Sequence, residues 1–154
     1  EMPSSWAFEA HKAQAIAARS YALANLGKRA RYGYDLKDTP EDQAYGGASK
    51  ETPDTNYAVE QTKGIVLTYN MKVINAYYSA SAGGQTNVDS WGGSLPYLRS
   101  VPSFDENVKK NGHGVGMSQH GANNLAKQGY NAYQILQYFY KDVKFARVNP
   151  QSYN

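Results

Sequence analysis

Between Trp6 and Leu26 the apolar positions fall on one helical stripe. Trp6, Ala10, Ala13, Ala17 and Tyr21 recur at spacings of four, three, four and four, and the stretch FEAHKAQAIAARSYALANL is built from strong helix formers with Gly27 as a C-terminal stop. The pattern predicts one long, central helix whose alanines let neighbouring backbone come close. From Lys28 to Thr55 glycine, proline and mixed charge show no period, which predicts a long irregular loop with short pieces of structure. Tyr57 to Lys63 reads as a helical turn. GIVLTYNMKVINAYYSAS then carries β-branched and aromatic residues on both sides of Asn70-Met71 and predicts a β-hairpin. Ala82-Gly83-Gly84 and Trp91-Gly92-Gly93 interrupt regular structure, and Pro96-Tyr97-Leu98 is expected to begin a further extended piece. Ser118 to Gln128 and Asn131 to Lys141 read as two short helices separated by Gly129, with Asn131 and Gln134 spaced as a capping box. The class is α+β, in a single domain over 1–154, without an internal repeat.

Composition narrows the chemistry. A chain of 154 residues can bury one real core. Fourteen tyrosines and two tryptophans against four phenylalanines favour rings with a polar edge, suited to wet interfaces and sugar faces. With no cysteine, disulfides, thiolate chemistry and cysteine-ligated zinc are excluded. His113 and His120 are seven residues apart, outside the usual zinc spacing, so no metal and no other cofactor is expected. A net charge of +3, with a short basic run at Lys28, Arg29 and Arg31, is too mild to point to nucleic acid. No apolar run reaches the ~20 residues needed to cross a bilayer. The opening Glu1-Met2-Pro3 reads as the start of a mature or engineered fragment whose targeting segment lies upstream.

Four segments carry a resemblance. EMPSSWAFEAHKAQAIAARSYAL at the start, DQAYGG at Asp42 to Gly47, YYSASAGGQT at Tyr77 to Thr86 and GHGVGMSQHGANNLAKQGY at Gly112 to Tyr130 resemble, in the same order, the SpoIID/LytB family of bacterial sporulation and cell-wall proteins. TKGIVLTYNMKVINAYYSAS is similar to the family hairpin and YQILQYFYKDVKF to its closing helix and strand, so the likeness covers nearly the whole chain. Two departures stand out: the strand that normally precedes EMP is absent, and the long insertion common between the PYL and GHGVGMSQ segments is about a dozen residues here. The resemblance implies an extracytoplasmic, cell-envelope protein that binds peptidoglycan glycan strands. It implies either a lytic transglycosylase acting on strands stripped of stem peptides or a module that enhances a cell-wall amidase.

Glycosidic cleavage needs a carboxylic acid still protonated when it meets the leaving oxygen. In a lytic transglycosylase the same carboxylate can then take the proton of the muramic acid 6-hydroxyl, so one glutamate suffices and an anhydro sugar forms. Glu1, at the EMP position, is the expected catalytic acid, against the alternative of a frayed charged terminus. Glu9, in EAHKAQ where the family segment reads EALKAQ, is either a second contact in the site or a carboxylate favoured in a first helical turn.

Gln14 can meet sugar hydroxyls or cap a loop, and Arg19 can line the site or act as a buried anchor to a carboxylate. Tyr78, Ser79, Ser81, Gly83, Gly84 and Thr86 follow a strand and combine small hydroxyls with glycines that admit a sugar or another backbone. His113, with Ser118 and Gln119 at a helix start, completes the expected binding set, although a glycine-flanked histidine can equally be satisfied by backbone. Asp42 and Gln43 are expected to support the site from a turn. A Ser81-His113-Asp89 hydrolase lacks the G-x-S-x-G turn and is set aside.

Overall fold

The computed structural model describes residues 2–26, 34–38, 55–88 and 95–150. Helix α1 (Phe8–Leu26) is the axis of the molecule. It starts two residues later than the pattern predicts because the Trp6 N–H closes a turn onto the Pro3 carbonyl (3.1 Å). Ala10, Ala13, Ile16 and Ala17 are fully buried on its inner face, and the small alanines let three helices and two strands pack on one helix. Tyr21, the last residue of the predicted stripe, instead sits at the surface.

Strand β1 (Tyr34–Asp38), inside the segment read as loop, joins the main sheet; the rest of that segment, including Asp42 and Gln43, lies outside the described residues. Helix α2 (Thr55–Gln61) leads to strand β2 (Ile65–Tyr69), which turns through Asn70-Met71 into strand β3 (Lys72–Val73). Asn70 and Met71 have φ of 52° and 65°, the left-handed pair of a type I′ two-residue hairpin, with Tyr69 facing Lys72. The second hairpin strand is far shorter than its β-branched and aromatic run predicts. The Asn75 N–H donates to the Tyr97 hydroxyl (2.9 Å) and the Asn75 side chain pairs with Asn25, so the chain is drawn off the sheet.

Tyr78–Ser79 forms strand β4, and it pairs in parallel with strand β5 (Met117–Ser118) in a separate two-stranded sheet. Pro96 to Leu98 forms a turn closed by Leu98 N–H to Leu95 carbonyl (3.0 Å) and not the expected strand.

Helix α3 (Gln119–Lys127) is capped by Ser118, and helix α4 (Ala132–Phe139) by Asn131 with Gln134 in the reciprocal capping box the spacing predicts. Strand β6 (Lys144–Pro150) then closes an antiparallel sheet in the order β1-β6-β2-β3. Ile65 and Leu67 of β2 join Tyr133, Leu136, Phe139, Tyr140 and Phe145 and the α1 alanines in one continuous core. The result is the expected α+β fold with its long N-terminal helix. Among the described residues no helix is long and apolar enough to cross a membrane.

Candidate functional site

Where α1 runs past β4 and the start of α3, it leaves a cavity of about 410 Å³ lined by Met2, His11, Gln14, Tyr78 and Gln119, with Ala15, Ala18, Thr55 and Val59 completing the walls. A second hollow of about 200 Å³ lies between Tyr21, Tyr77, Tyr78 and His113. Tyr78 lines both, so the two hollows adjoin at that residue, the larger with Gln14 and Gln119 in its wall and the smaller with tyrosines and His113. The Tyr21 ring lies 5.6 Å from that of Tyr77 and 6.5 Å from that of Tyr78.

Four of the predicted site residues, Gln14, Tyr78, His113 and Gln119, are brought together here. Gln119 Nε2 donates to Gln14 Oε1 (3.1 Å), a bond between residues far apart in the chain that fixes both amides at the cavity.

His113 stands at the far end, and its Nδ1 accepts the Val115 N–H (2.9 Å). Burial holds its pKa below the ordinary imidazole value and nearby Lys110 adds to this, while a hydrogen bond to the Tyr78 backbone works the other way. It is thus a neutral ring that fastens the GHGVG loop to β4 at the edge of the aromatic hollow. Gly116 makes that junction possible: its φ is +78°, and a Cβ there would stand 2.0 Å from the Tyr77 carbonyl oxygen.

Most of the other predicted residues are engaged with the protein itself. Glu9 Oε1 accepts the Ala132 N–H at the start of α4 (2.8 Å), and Oε2 meets buried Lys12 Nζ (3.3 Å). It is a carboxylate in the first turn of its own helix, and it also accepts at the N-terminus of α4. Arg19 donates to the carbonyls of Thr62 and Ile65 (2.5 and 2.8 Å), so its anchor is backbone and not a carboxylate. Ser81 Oγ donates to the Lys109 carbonyl (2.6 Å), and Thr86 Oγ1 accepts the Val101 N–H (2.9 Å). Ser79 is buried, with its Oγ unpartnered. Glu1 lies outside the described residues; its sequence neighbour Met2 lines the larger hollow.

Asp105 organises this wall, and nothing in the sequence singled it out. It is fully buried. Its Oδ2 accepts from Ala82 N–H (2.7 Å) and Ser118 Oγ (2.6 Å), and its Oδ1 from Gly84 N–H (2.8 Å) and Ser103 Oγ (2.5 Å). Burial alone pushes its pKa up; the hydrogen bonds from Ser103, Ser118, Ala82 and Gly84 outweigh that and hold it below the usual carboxylate value. Ser118 in turn accepts the Gly121 N–H as the cap of α3 (2.9 Å). Gly84 and Ser118 therefore act on the cleft through Asp105, which ties the SASAGG loop to the helix that carries Gln119. Among the described residues no cluster of three or more metal-ligating side chains occurs.

Comparison with known proteins places this arrangement. Residues 1–69 match the family model described as SpoIID, stage II sporulation protein. The chain is 48% identical over 100 residues to an amidase enhancer of Bacillus subtilis, an alignment that covers 64% of this chain and 13% of that protein. It is 38% identical over 104 residues to an uncharacterized protein of Brachyspira hyodysenteriae, covering 66% of this chain and 28% of the other. With stage II sporulation protein D of Bacillus amyloliquefaciens it shares 26% identity over 246 aligned positions, 97% of this chain and 72% of that protein. That alignment is longer than the 154 residues of the chain, so the sporulation relative carries inserted residues that this chain lacks. The chain spans only a small part of the first two relatives.

Proposed function

Because the chain belongs to the SpoIID/LytB family, we propose that its cleft binds the glycan strands of peptidoglycan at the cell envelope and cleaves them without water. The observation that supports this reading is the larger hollow, where the paired amides of Gln14 and Gln119 share a wall with Met2, the residue that follows Glu1, and which meets a tyrosine-lined hollow at Tyr78.

In the reaction, Glu1 gives its proton to the oxygen linking MurNAc to GlcNAc as the bond from C1 breaks. The carboxylate so formed takes the proton of the MurNAc 6-hydroxyl while O6 bonds to C1. The proton returns to Glu1, no water is consumed, and the new end is a 1,6-anhydro sugar. Denuded glycan digested with the domain should release 1,6-anhydro ends, and Glu1→Gln should slow their release roughly 10²-fold or more with binding kept. Reducing ends would instead mark an ordinary hydrolase.

A second reading has its own support. Neither hollow is lined by a carboxylate among the described residues, and one relative is named an amidase enhancer. On that reading the same cleft holds the glycan while a partner amidase cuts. Glycan binding with no new ends, together with faster release of stem peptides by an added cell-wall amidase, would establish it.

A further inference from the structure

The segment that carries Lys110 is fastened to the SASAGG loop at three points. Ser81 N–H donates to the Asn111 carbonyl (3.2 Å), Asn111 N–H donates to the Ser81 carbonyl (3.1 Å), and Ser81 Oγ donates to the Lys109 carbonyl (2.6 Å). The backbone on both sides of Lys110 is therefore set before any ligand arrives.

Two glycines make room for the side chain. A Cβ on Gly83 would stand 3.3 Å from Lys110 Cβ, and a Cβ on Gly114 would stand 3.1 Å from Lys110 Cε and 3.6 Å from Nζ. The stem thus crosses from the SASAGG loop to the GHGVG loop and ends beside the residue that follows His113. Lys110 is exposed, and it makes no ion pair or side-chain hydrogen bond among the described residues. Asp105 is buried among four donors, and Glu106, beside Gly84, forms no ion pair with it.

The charge reaches the smaller hollow. Burial first, and Lys110 next, hold the His113 imidazole below its ordinary value, and His113 lines that hollow with Tyr21, Tyr77 and Tyr78. Among the described residues no carboxylate lines either hollow, so the potential from Lys110 is not cancelled there.

We propose that Lys110 pairs with the lactyl carboxylate that muramic acid presents once its stem peptide is gone, a reading that rests on the glycan function above. In an intact strand that carboxyl group is an amide and carries no charge; in a stripped strand it is an anion. A lysine suits the task. Its ammonium is a point charge on a flexible stem, so it can follow a carboxylate that swings on an ether link without meeting a fixed fork geometry.

The test is calorimetric binding of the whole domain to glycan strands freed of stem peptides, with the lactyl carboxylates either free or capped as methylamides. Stripped strands are used for both arms because stem peptides bring acids of their own. In low salt the free-acid strands should bind the wild type about three- to fivefold more tightly, the upper range of an exposed ion pair. The ratio should fall toward one in about 1 M salt. Lys110→Gln should bring the low-salt ratio below about twofold with an unchanged melting midpoint, since the side chain is exposed. Lys110→Arg should keep the preference. Lys127→Gln removes an equal charge at the end of α3, from a residue that lines neither hollow, and should keep it too.

Equal binding of the two strand forms by the wild type would overturn the pairing and leave the glycan reading standing. A Lys110→Gln protein that keeps the full preference, or a Lys127→Gln protein that loses it, would overturn the pairing as well, because other charges would then be its source. Failure of both strand forms to bind the wild type would overturn both readings.

Discussion

Replacing Asp105 by asparagine tests whether one buried charge holds the cleft wall together. The carboxylate accepts two donors on each oxygen, one backbone N–H and one hydroxyl in each pair. Asparagine keeps one carbonyl oxygen and turns the other position into an NH₂. The hydroxyl on that side can rotate to accept, but the backbone N–H of Ala82 or Gly84 cannot, and it faces a donor in a site without water access. One unsatisfied buried N–H costs about 1–3 kcal/mol, and loss of charge assistance on the remaining bonds adds about 1 kcal/mol. The expected destabilisation is therefore about 2–4 kcal/mol, or a fall in Tm of roughly 5–15 °C for a domain of this size.

Proton linkage sharpens the test. The folded pKa of Asp105 lies below its unfolded value of about 3.9. Its stabilisation is thus fully present above that unfolded value and is lost as pH falls through the lower folded value. The gap between wild type and Asp105→Asn, measured by urea melts, should be widest near neutral pH and shrink below about pH 4. A variant within about 0.5 kcal/mol of wild type at pH 7, a change no larger than an ordinary surface substitution, would refute the claim that the charge organises this wall.

Met71 sits 81% exposed at a left-handed φ of 65°, so Met71→Gly should raise stability by about 0.5–1 kcal/mol, seen as a higher urea midpoint. In most helices alanine is preferred to glycine, yet Gly121→Ala would put a Cβ 2.0 Å from the Ser103 carbonyl oxygen; thermal melts should show a loss of about 1–3 kcal/mol. His113 is held below the ordinary imidazole value, so its NMR titration midpoint should fall below about 6.5. If protonation of that ring weakens its junction, glycan binding should be flat from pH 8 to 6.5 and decline only at lower pH. Glu9→Gln should lower stability by about 1 kcal/mol through Lys12 and the α4 N-terminus while leaving the type of glycan end unchanged.

Local rules made the helices readable. Alanine content and the four-three stripe located α1, and Asn131 with Gln134 located the start of α4, because both signals are complete within a few residues of chain. The short β3 was not readable, since what ends it is a hydroxyl from Tyr97, more than twenty residues away. Strand β1 was hidden for a similar reason: YDLKD offers an alternation of only two apolar residues, Tyr34 and Leu36, within a glycine- and charge-rich stretch, and its pairing is supplied by β6 from the far end of the chain. Of the residues read from the sequence, Gln14, Tyr78, His113 and Gln119 line the two hollows. The sequence reading missed Asp105, because SFDEN reads as a solvated turn until the donors of Ala82, Gly84 and Ser118 are seen around it.

The cleft also sets an order of events during synthesis. One wall belongs to α1, which forms early, yet the bonds that join it to the other wall link Ala7 to Asn123, Glu9 to Ala132 and Gln14 to Gln119, each spanning more than a hundred residues. Loops of that length close late and contribute to a high contact order. A growing chain therefore has no complete cleft until α3 and α4 have been made and docked. The cleft is thus among the last parts of the fold to assemble.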